Sequence, residues 1–210
     1  MMTDKKYYDT LAAAVEALKS GGTILYPTDT VWGLGCDATD PEAVAKIFAI
    51  KNRPDSKSLV LLVSDLDMLT RYVRQIPGIA LDLIEVNDKP MTLIYPGALH
   101  AAAPENGGAA PKGDRYRLAY NTVAEDESVG IRIPMSDFCR DLCRKLGRPV
   151  VSTSANVSGE PSPVRFVDIA ERIKSAVDYV VPAEYEKGAT GQASQIIKVG
   201  LGGEVEIIRK

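Results

Sequence analysis

The chain has 210 residues, of which 45% are hydrophobic and 25% charged, and its formal net charge at pH 7 is -3. This length fits one domain with a continuous core that needs neither disulfides nor a metal, and the composition excludes disordered, fibrous and repeat classes. The slightly acidic balance excludes a surface that is basic all over, so any site for nucleic acid or another anion must be local.

The sequence predicts a cytoplasmic protein. No segment approaches the roughly 18 apolar residues that a membrane-spanning helix requires, and the N-terminus lacks the apolar run of a signal peptide. The three cysteines, Cys36, Cys139 and Cys143, have no framework spacing and are expected to be reduced thiols. Cys139 and Cys143 lie four residues apart, but the single histidine, His100, belongs to another segment, so no protein metal site is expected.

Helices and strands alternate in the first half of the chain. Apolar residues at helical spacing predict a helix that begins near Asp9 as N-cap and ends at Gly21-Gly22. A short strand over 23–26 follows. The next helix has Asp40 as its N-cap and Pro41 in its first turn, and it runs into a cationic connection that Pro54 closes. The elements expected after it are a strand in "SLVLLV", helical segments at 66–72 and 79–86, and a strand at 91–95.

The second half continues this alternation after an irregular stretch. Residues 100–126 are rich in Ala, Gly, Pro and charge and predict a mobile surface insertion. Beyond it we expect a strand in "SVGIRIP", a helix from Ser136 to Gly147, and a strand that leads into "STSANVSGEPSP". Residues 164–177 have the pattern of an amphipathic helix, and residues 194–210 that of a β-hairpin. The fold class is therefore a mixed α/β sheet in a single domain over residues 1–210.

Several familiar catalytic motifs are missing. There is no Gly-x-x-x-x-Gly-Lys-Ser/Thr loop, and Gly33-Leu34-Gly35 lacks the third glycine of a dinucleotide fingerprint. A serine hydrolase needs a histidine base, but His100 lies in the least regular part of the chain. These exclusions leave one kind of chemistry. The protein would position its substrates and stabilise charge with cations, hydroxyls and amides.

Three loops at strand ends are rich in groups that bind anions. They are "YPTDT" with Thr28 and Thr30, "KNRPDSK" with Lys51, Arg53 and Lys57, and "STSAN" with Ser152, Ser154 and Asn156. Hydroxyls, amides and cations at strand ends can together hold phosphate or carboxylate oxygens. Taken singly, each loop has an ordinary explanation, because Ser and Thr often cap or form turns and lysines often only solvate a surface.

The combination of these segments resembles a known family. "GGTILYPTDTVWGLG", "KIFAIKNRPDSKSLVLLV", "VGIRIP" and "VVSTSANVSGEPSP" occur in the order found in the Sua5/YciO/YrdC family, which includes threonylcarbamoyl-AMP synthases. The resemblance covers residues 10–210 and includes the family's Lys-x-Arg at Lys51 and Arg53 and its Ser-x-Asn at Ser154 and Asn156. It implies a twisted α/β sheet with flanking helices and a concave, basic face, in the short form without an additional C-terminal domain.

The sequence departs from the family pattern at three places. Lys57 is followed by Ser58-Leu59 where relatives have Pro-Leu, and "NDKPMTLIY" keeps Pro90 and Thr92 but loses a glycine. Near the end, Ser194 is followed by Gln195 instead of a second hydroxyl residue. The last change makes Ser194 a weaker site candidate than the others.

The resemblance implies an activity. L-threonine, bicarbonate and ATP with Mg²⁺ would give threonylcarbamoyl-AMP and pyrophosphate, and transfer proteins would carry the threonylcarbamoyl group to an adenosine of tRNA, forming N6-threonylcarbamoyladenosine (t6A). By the same resemblance, Lys51 and Arg53 would be catalytic. The ATP and phosphate ligands would be Lys51, Arg53, Lys57, Thr92, Ser152, Ser154 and Asn156, and the threonine ligands Thr28, Thr30 and Arg132.

Some alternatives remain open at this stage. Arg132 is either a partner for the threonine carboxylate or half of an ion pair with an acidic neighbour. The same basic face would also suit a non-catalytic protein that binds double-stranded RNA, tRNA or rRNA. A related enzyme that adenylates plain carbamate is a third possibility, although such relatives carry this module within a much larger chain.

Overall fold

One mixed sheet organises the protein in the computed structural model, which describes residues 4–52, 59–103 and 116–210. Arg53, Lys57 and Ser58 and residues 104–115 lie outside the described residues. In chain order the strands of this sheet are β1 Ile24–Tyr26, β2 Gly33–Gly35, β3 Val60–Leu62, β4 Met91–Tyr95, β5 Val129–Arg132, β6 Val150–Ser154, β7 Tyr179–Val180, β8 Gln195–Val199 and β9 Val205–Arg209.

The spatial order of the strands is β7-β1-β2-β6-β3-β5-β4-β8-β9. The pairs β1/β7, β3/β5 and β4/β8 are parallel, and the other neighbours are antiparallel. The predicted mixed α/β sheet is therefore confirmed, as is the terminal hairpin, which β8 and β9 form. The described helices are α1 Asp4–Lys19, α2 Pro41–Lys51, α3 Leu66–Leu69, α4 Gly78–Val86, α5 Asp137–Leu146 and α6 Glu171–Lys174. Within the described ranges, none of them is long and apolar enough to cross a membrane.

The caps of α2 and α5 lie where the sequence predicts them. The Asp40 carboxylate accepts hydrogen bonds from the backbone N–H groups of Glu42 and Ala43, at 2.9 and 3.2 Å. The Ser136 hydroxyl caps α5, and Gly147 ends that helix in the left-handed region at φ 75°. These local rules work because a cap involves only residues of adjacent turns.

Helix α1 begins at Asp4, five residues before the predicted start at Asp9. Its added turn packs against α5: the Tyr7 ring meets Phe138 edge-on at 6.1 Å, and the Tyr7 hydroxyl donates to Asp141 at 2.8 Å. Tertiary packing against α5 therefore extends the helix past a residue that resembles an N-cap.

The predicted surface insertion at 100–126 needs correction at its C-terminal end. Leu118 and Thr122 are buried, and the Ala119 N–H donates to the Ala38 carbonyl at 2.8 Å. A single turn of 3₁₀ helix, Tyr120–Thr122, lies against α2. Ala and Gly content indicated a surface here, but the few large side chains of the segment are used for packing.

The amphipathic helix predicted over 164–177 is interrupted. A 3₁₀ turn, Phe166–Asp168, and the four-residue α6 are separated by extended backbone at Ile169 and Ala170. Val167, an apolar residue of that pattern, is 71% exposed. The Phe166 N–H donates to the Glu186 carboxylate at 2.7 Å, a distant contact that holds the first turn in place and that helical periodicity does not reveal.

The glycine pair of β2 has a packing role. A Cβ on Gly35 would lie 2.6 Å from the Val151 carbonyl oxygen and 2.7 Å from the Tyr26 ring. Gly33 pairs with Ser154 of β6 in the sheet. The "GLG" segment therefore lets two backbones approach closely, which explains a glycine pattern that lacks the rest of a dinucleotide fingerprint.

Candidate active site

A cavity of about 300 Å³ lies on one face of the sheet, and we call it the front cavity. Polar side chains of the β1–β2 turn, β5 and β6 face residues from the C-terminal hairpin across it. Its lining consists of Thr28, Thr30, Val31, Trp32, Gly33, Val60, Arg132, Ser152, Thr153, Ser154, Ser162, Ala193, Ser194, Ile196 and Arg209. The volume is that of a small-molecule site, and hydroxyl and guanidinium groups suit an anionic ligand.

The front cavity brings together most of the predicted threonine and phosphate ligands. Thr28, Thr30, Arg132, Ser152 and Ser154 all line it. The weaker candidate, Ser194, lines it as well. Loops that are far apart in sequence therefore meet in one place, as the sequence analysis requires of a shared site.

Three predicted ligands within the described residues do not line the cavity but contact residues that do: Lys51, Asn156 and Thr92. Arg53 and Lys57 fall outside the described residues. Thr92 is fully buried, and its hydroxyl is 2.8 Å from that of Ser194. The two hydroxyls share a hydrogen bond, so Thr92 orients the group that Ser194 presents to the cavity.

The turn after β1 is held by its own hydroxyl groups. The Thr28 hydroxyl donates to the Val31 carbonyl at 2.7 Å and accepts from the Thr30 N–H at 3.0 Å. The two threonine hydroxyls are 2.8 Å apart. Since the single proton of Thr28 is already used, Thr30 is the donor between them. Thr28 is thereby saturated, and Thr30 is left with acceptor capacity.

Arg132 forms an ion pair with an acidic neighbour, which is one of the two roles that the sequence predicts for it. Its Nη1 is 3.1 Å from Asp29 Oδ1, and both residues are buried. Nη1 also donates to the Thr30 hydroxyl at 3.4 Å. The Nε–H of Arg132 is buried without a hydrogen-bond partner among the described residues. The ion pair therefore fixes the guanidinium at the cavity wall, and one of its buried donors is left unpaired among the described residues.

Lys51 organises the loop after β6. This side chain is 3% exposed, and its ammonium donates to the carbonyls of Ser154 at 2.5 Å and Asn156 at 2.7 Å. The Asn156 amide in turn donates to the carbonyls of Val157 and Glu160. The Lys-x-Arg and Ser-x-Asn segments are therefore in direct contact, with Lys51 holding the Ser154 strand end in shape. Its predicted catalytic role stays a prediction.

Arg209 is a site residue that the sequence analysis missed. It lies in β9, lines the front cavity, and donates from Nε to the Ser194 carbonyl at 2.9 Å. Partial desolvation, and then the positive charge of Arg132, lowers the pKa of its guanidinium. Arg209 is itself exposed, so it adds a solvated second cation to the wall of the cavity. No local motif marks Arg209, because the hairpin brings it to the site from the end of the chain.

Trp32 was also missed. It lines the front cavity, and its indole N–H donates to Glu186 at 2.7 Å while its ring lies 5.0 Å from that of Phe166. It is the single tryptophan of the chain. Its fluorescence is therefore a direct reporter of this cavity.

No cluster of metal-ligating side chains accompanies these groups. Within residues 4–52, 59–103 and 116–210, no group of three or more His, Cys, Asp or Glu side chains is placed to hold a metal ion. The three thiols are buried; burial raises the pKa of Cys139 to about 12 and also raises the pKa of Cys36 well above its usual value. The described part of the cavity thus offers hydroxyls, guanidinium groups and backbone.

The fold and this cavity define a class of protein that sequence comparison identifies. The family model for Sua5, YciO and YrdC, described as "Telomere recombination", matches residues 16–210. The chain belongs to this family.

Curated relatives and a solved structure agree with this assignment. The chain is 34% identical over 175 residues to a threonylcarbamoyl-AMP synthase of Stenotrophomonas maltophilia (83% of this chain, 87% of the relative). It is 34% identical over 169 residues to one of Chromohalobacter salexigens (80% and 83%). P. abyssi Sua5, solved in complex with L-threonine, has a TM-score of 0.72 and 26% identity, over 92% of this chain and 51% of that chain. The chain thus spans most of its curated relatives and about half of that Sua5.

Proposed function

We propose that the protein is an L-threonylcarbamoyladenylate synthase. It would form threonylcarbamoyl-AMP and pyrophosphate from L-threonine, bicarbonate and ATP, for t6A modification of tRNA. One observation carries the proposal: a single front cavity joins Arg132, which has an unused buried donor, to the hydroxyls of Ser152 and Ser154. Relatives named threonylcarbamoyl-AMP synthase at 34% identity support the same reaction.

Threonine would bind at the β1–β2 turn. Its carboxylate would accept from the unpartnered Nε–H of Arg132, and its amino group would approach the remaining acceptor of the Thr30 hydroxyl. Thr28 would act through Thr30, because its own hydrogen-bonding capacity is filled. The buried Asp29–Arg132 pair keeps this seat rigid before the substrate arrives.

ATP would lie along β6 and towards the hairpin. The hydroxyls of Ser152, Ser154 and Ser194 and the guanidinium of Arg209 provide donors for phosphate and ribose oxygens. Lys51 would act by holding the Ser154–Asn156 loop, and direct contact of Lys51, Arg53 and Lys57 with the phosphates is part of the proposal. Mg²⁺ would enter with ATP as the substrate complex, since phosphates and water supply most ligands of this ion.

The reaction proceeds in two bond-forming steps. The neutral amine of threonine attacks the carbon of carbon dioxide and releases a proton, or attacks bicarbonate with loss of water, and a carbamate oxygen then attacks the α-phosphorus of ATP. Pyrophosphate then leaves, carrying the electron pair of the broken P–O bond. Because negative charge accumulates on that leaving group, cations directed at it stabilise the transition state more than the ground state.

The product determines the partners that we propose. A mixed carbamoyl-phosphate anhydride is a reactive intermediate, so transfer proteins and tRNA, or another RNA, would have to collect it from the enzyme. We place the enzyme in the cytoplasm, where ATP, threonine and tRNA occur together.

Pyrophosphate release tests the proposal directly. Purified protein is incubated with ATP and Mg²⁺, and L-threonine and bicarbonate are added singly and together. Release that requires both, with the mass of threonylcarbamoyl-AMP in the product, is the expected result. Turnover without threonine would instead identify an enzyme that adenylates plain carbamate. Intact ATP in every mixture would contradict any synthase and would direct the next experiment to RNA binding.

A matched pair of arginine variants assigns the reaction to the front cavity. Arg209→Gln removes a guanidinium from the cavity wall and is expected to raise the KM for ATP about tenfold, or about 1.4 kcal/mol. Arg144→Gln is the control, because Arg144 is exposed on α5 and pairs with Asp141. Trp32 fluorescence measures ATP binding in parallel. Equal KM values for the two variants would remove Arg209 from the proposed nucleotide site.

A further inference from the structure

A second cavity, of about 160 Å³, lies on the opposite face of the same strands, and we call it the rear cavity. It is a gap between the sheet and helices α3, α4 and α5. Its lining consists of Leu69, Ile84, Asn87, Met91, Leu93, Tyr95, Ile131, Ile133, Met135 and Arg140. None of these residues lines the front cavity, so the rear cavity has no part in the proposed reaction.

The rear cavity is apolar at its floor and has the volume of a small ring. Leu69, Leu93 and Ile131 are buried there, whereas Met135 at its edge is 46% exposed. An engineered cavity of about 150 Å³ lined by similar side chains in another protein binds benzene. The rear cavity therefore admits one six-membered ring or a branched chain of similar size.

Two polar groups in its wall have unused hydrogen-bonding capacity. Arg140 donates from Nε to the Pro134 carbonyl at 2.6 Å, and its terminal amino groups have no partner in the described part of the chain. Tyr95 also lines the cavity, and its hydroxyl makes no hydrogen bond to any described residue, so it is open to water or to a ligand there. A cation and an open hydroxyl beside an apolar cavity fit a ligand with an apolar body and an anionic end.

We propose that the rear cavity is a regulatory site for a compact apolar monocarboxylate. The apolar body rests on the floor that the neighbouring side chains of Leu93 and Ile131 form, and the carboxylate reaches Arg140 at the exposed edge. Binding at the rear cavity does not depend on the proposed synthase activity, whereas its regulatory effect, which acts on Arg132, rests on that proposed function.

The rear cavity is connected to the front cavity by one short path. Met135, in its wall, donates its backbone N–H to Asp29 Oδ2 at 2.9 Å, and Asp29 Oδ1 lies 3.1 Å from Arg132. A ligand that moves Met135 thus acts on the carboxylate that positions Arg132. The coupling is reciprocal. If the rear ligand changes the affinity of the front cavity for its ligand by some factor, a ligand in the front cavity changes the affinity of the rear cavity by the same factor.

Methyl NMR with a defined probe tests the binding. Protein labelled at the methyl groups of Ile, Leu and Met is titrated with 3-phenylpropanoate and, separately, with the neutral 3-phenylpropan-1-ol. Saturable shifts centred on Ile84, Leu93, Ile131, Ile133 and Met135 are expected, with the carboxylate bound about tenfold more tightly than the alcohol. Shifts elsewhere, no saturation, or equal affinities would overturn the proposal.

Variants and a second signal test the anion contact and the coupling. Arg140→Gln should reduce the affinity for the carboxylate about tenfold, to that of the alcohol, whereas Arg144→Gln, one turn further along α5, should leave both unchanged. Binding of the probe should also shift the Nε–H resonance of Arg132. An unaltered carboxylate affinity in Arg140→Gln, or an Arg132 signal that stays fixed at saturation, would refute a regulatory carboxylate site.

Discussion

The two faces of β5 carry different tasks. On the front face, Arg132 is directed into a cavity lined by hydroxyls and by a second guanidinium, that of Arg209. On the rear face, Val129 and Ile131 are buried towards the helices. Successive side chains of a strand point to opposite sides of the sheet. In "VGIR", alternate residues therefore face the core and the front cavity. Substitutions on one face are therefore expected to alter ligand binding and those on the other to alter stability. The exception is a buried charged residue that serves both purposes.

Arg132 is that exception, and its removal has the largest expected effect. Arg132→Met leaves the Asp29 carboxylate buried without its partner and is expected to lower the free energy of unfolding by about 3–5 kcal/mol. The double variant Asp29→Asn/Arg132→Met should recover most of that loss, because no uncompensated charge remains. Both variants should lack synthase activity. Urea denaturation and pyrophosphate release measure the two properties separately.

The double variant can contradict this interpretation in two ways. If it is no more stable than Arg132→Met, the ion pair is not the reason for the loss of stability. If it retains turnover, Arg132 does not hold the substrate, and the pair has a structural role alone.

Ile131→Ala tests the rear face and has the next largest effect. Ile131 is 2% exposed, so its truncation should destabilise the protein by about 2–4 kcal/mol. The KM for threonine and the turnover per folded molecule should stay within about twofold of the wild type, since the backbone of β5 still places Arg132. A tenfold loss of turnover at a temperature where the variant is fully folded would show that the two faces are not separable.

Much of the fold follows from local rules. The alternation in "SVGIRIP", the caps Asp40 and Ser136, and the glycines of the last hairpin each involve neighbouring residues, and the structure confirms the elements that they predict. The errors lie where distant contacts decide. Helix α1 gains a turn from packing on α5, and the segment 164–177 breaks where Glu186 holds Phe166.

The site residues also fall into those that local motifs predict and those that depend on distant contacts. Family motifs located Thr28, Thr30 and the β6 loop because these residues lie in short, continuous segments. The Asp29–Arg132 pair, the contact of Lys51 with the Ser154 carbonyl and the position of Arg209 each join segments that are far apart in sequence. Such pairings depend on sheet order, which a single sequence does not display. The roles of Arg53 and Lys57 stay predictions.

The smallest effect distinguishes two threonines that occupy the same turn. Thr28→Val leaves the Thr30 N–H and the Val31 carbonyl without their partner, so a stability loss of about 1–3 kcal/mol is expected. Thr30→Val loses the 2.8 Å hydrogen bond that its hydroxyl donates to Thr28, a weak 3.4 Å contact with Arg132, and the hydroxyl proposed to face the substrate. The Thr28 hydroxyl keeps its bonds to the Val31 carbonyl and the Thr30 N–H, so Thr30→Val should raise the KM for threonine several-fold while lowering stability by only about 1 kcal/mol. Urea denaturation and threonine-dependent kinetics of both variants check this, and the opposite pattern would mean that Thr28, not Thr30, contacts the substrate.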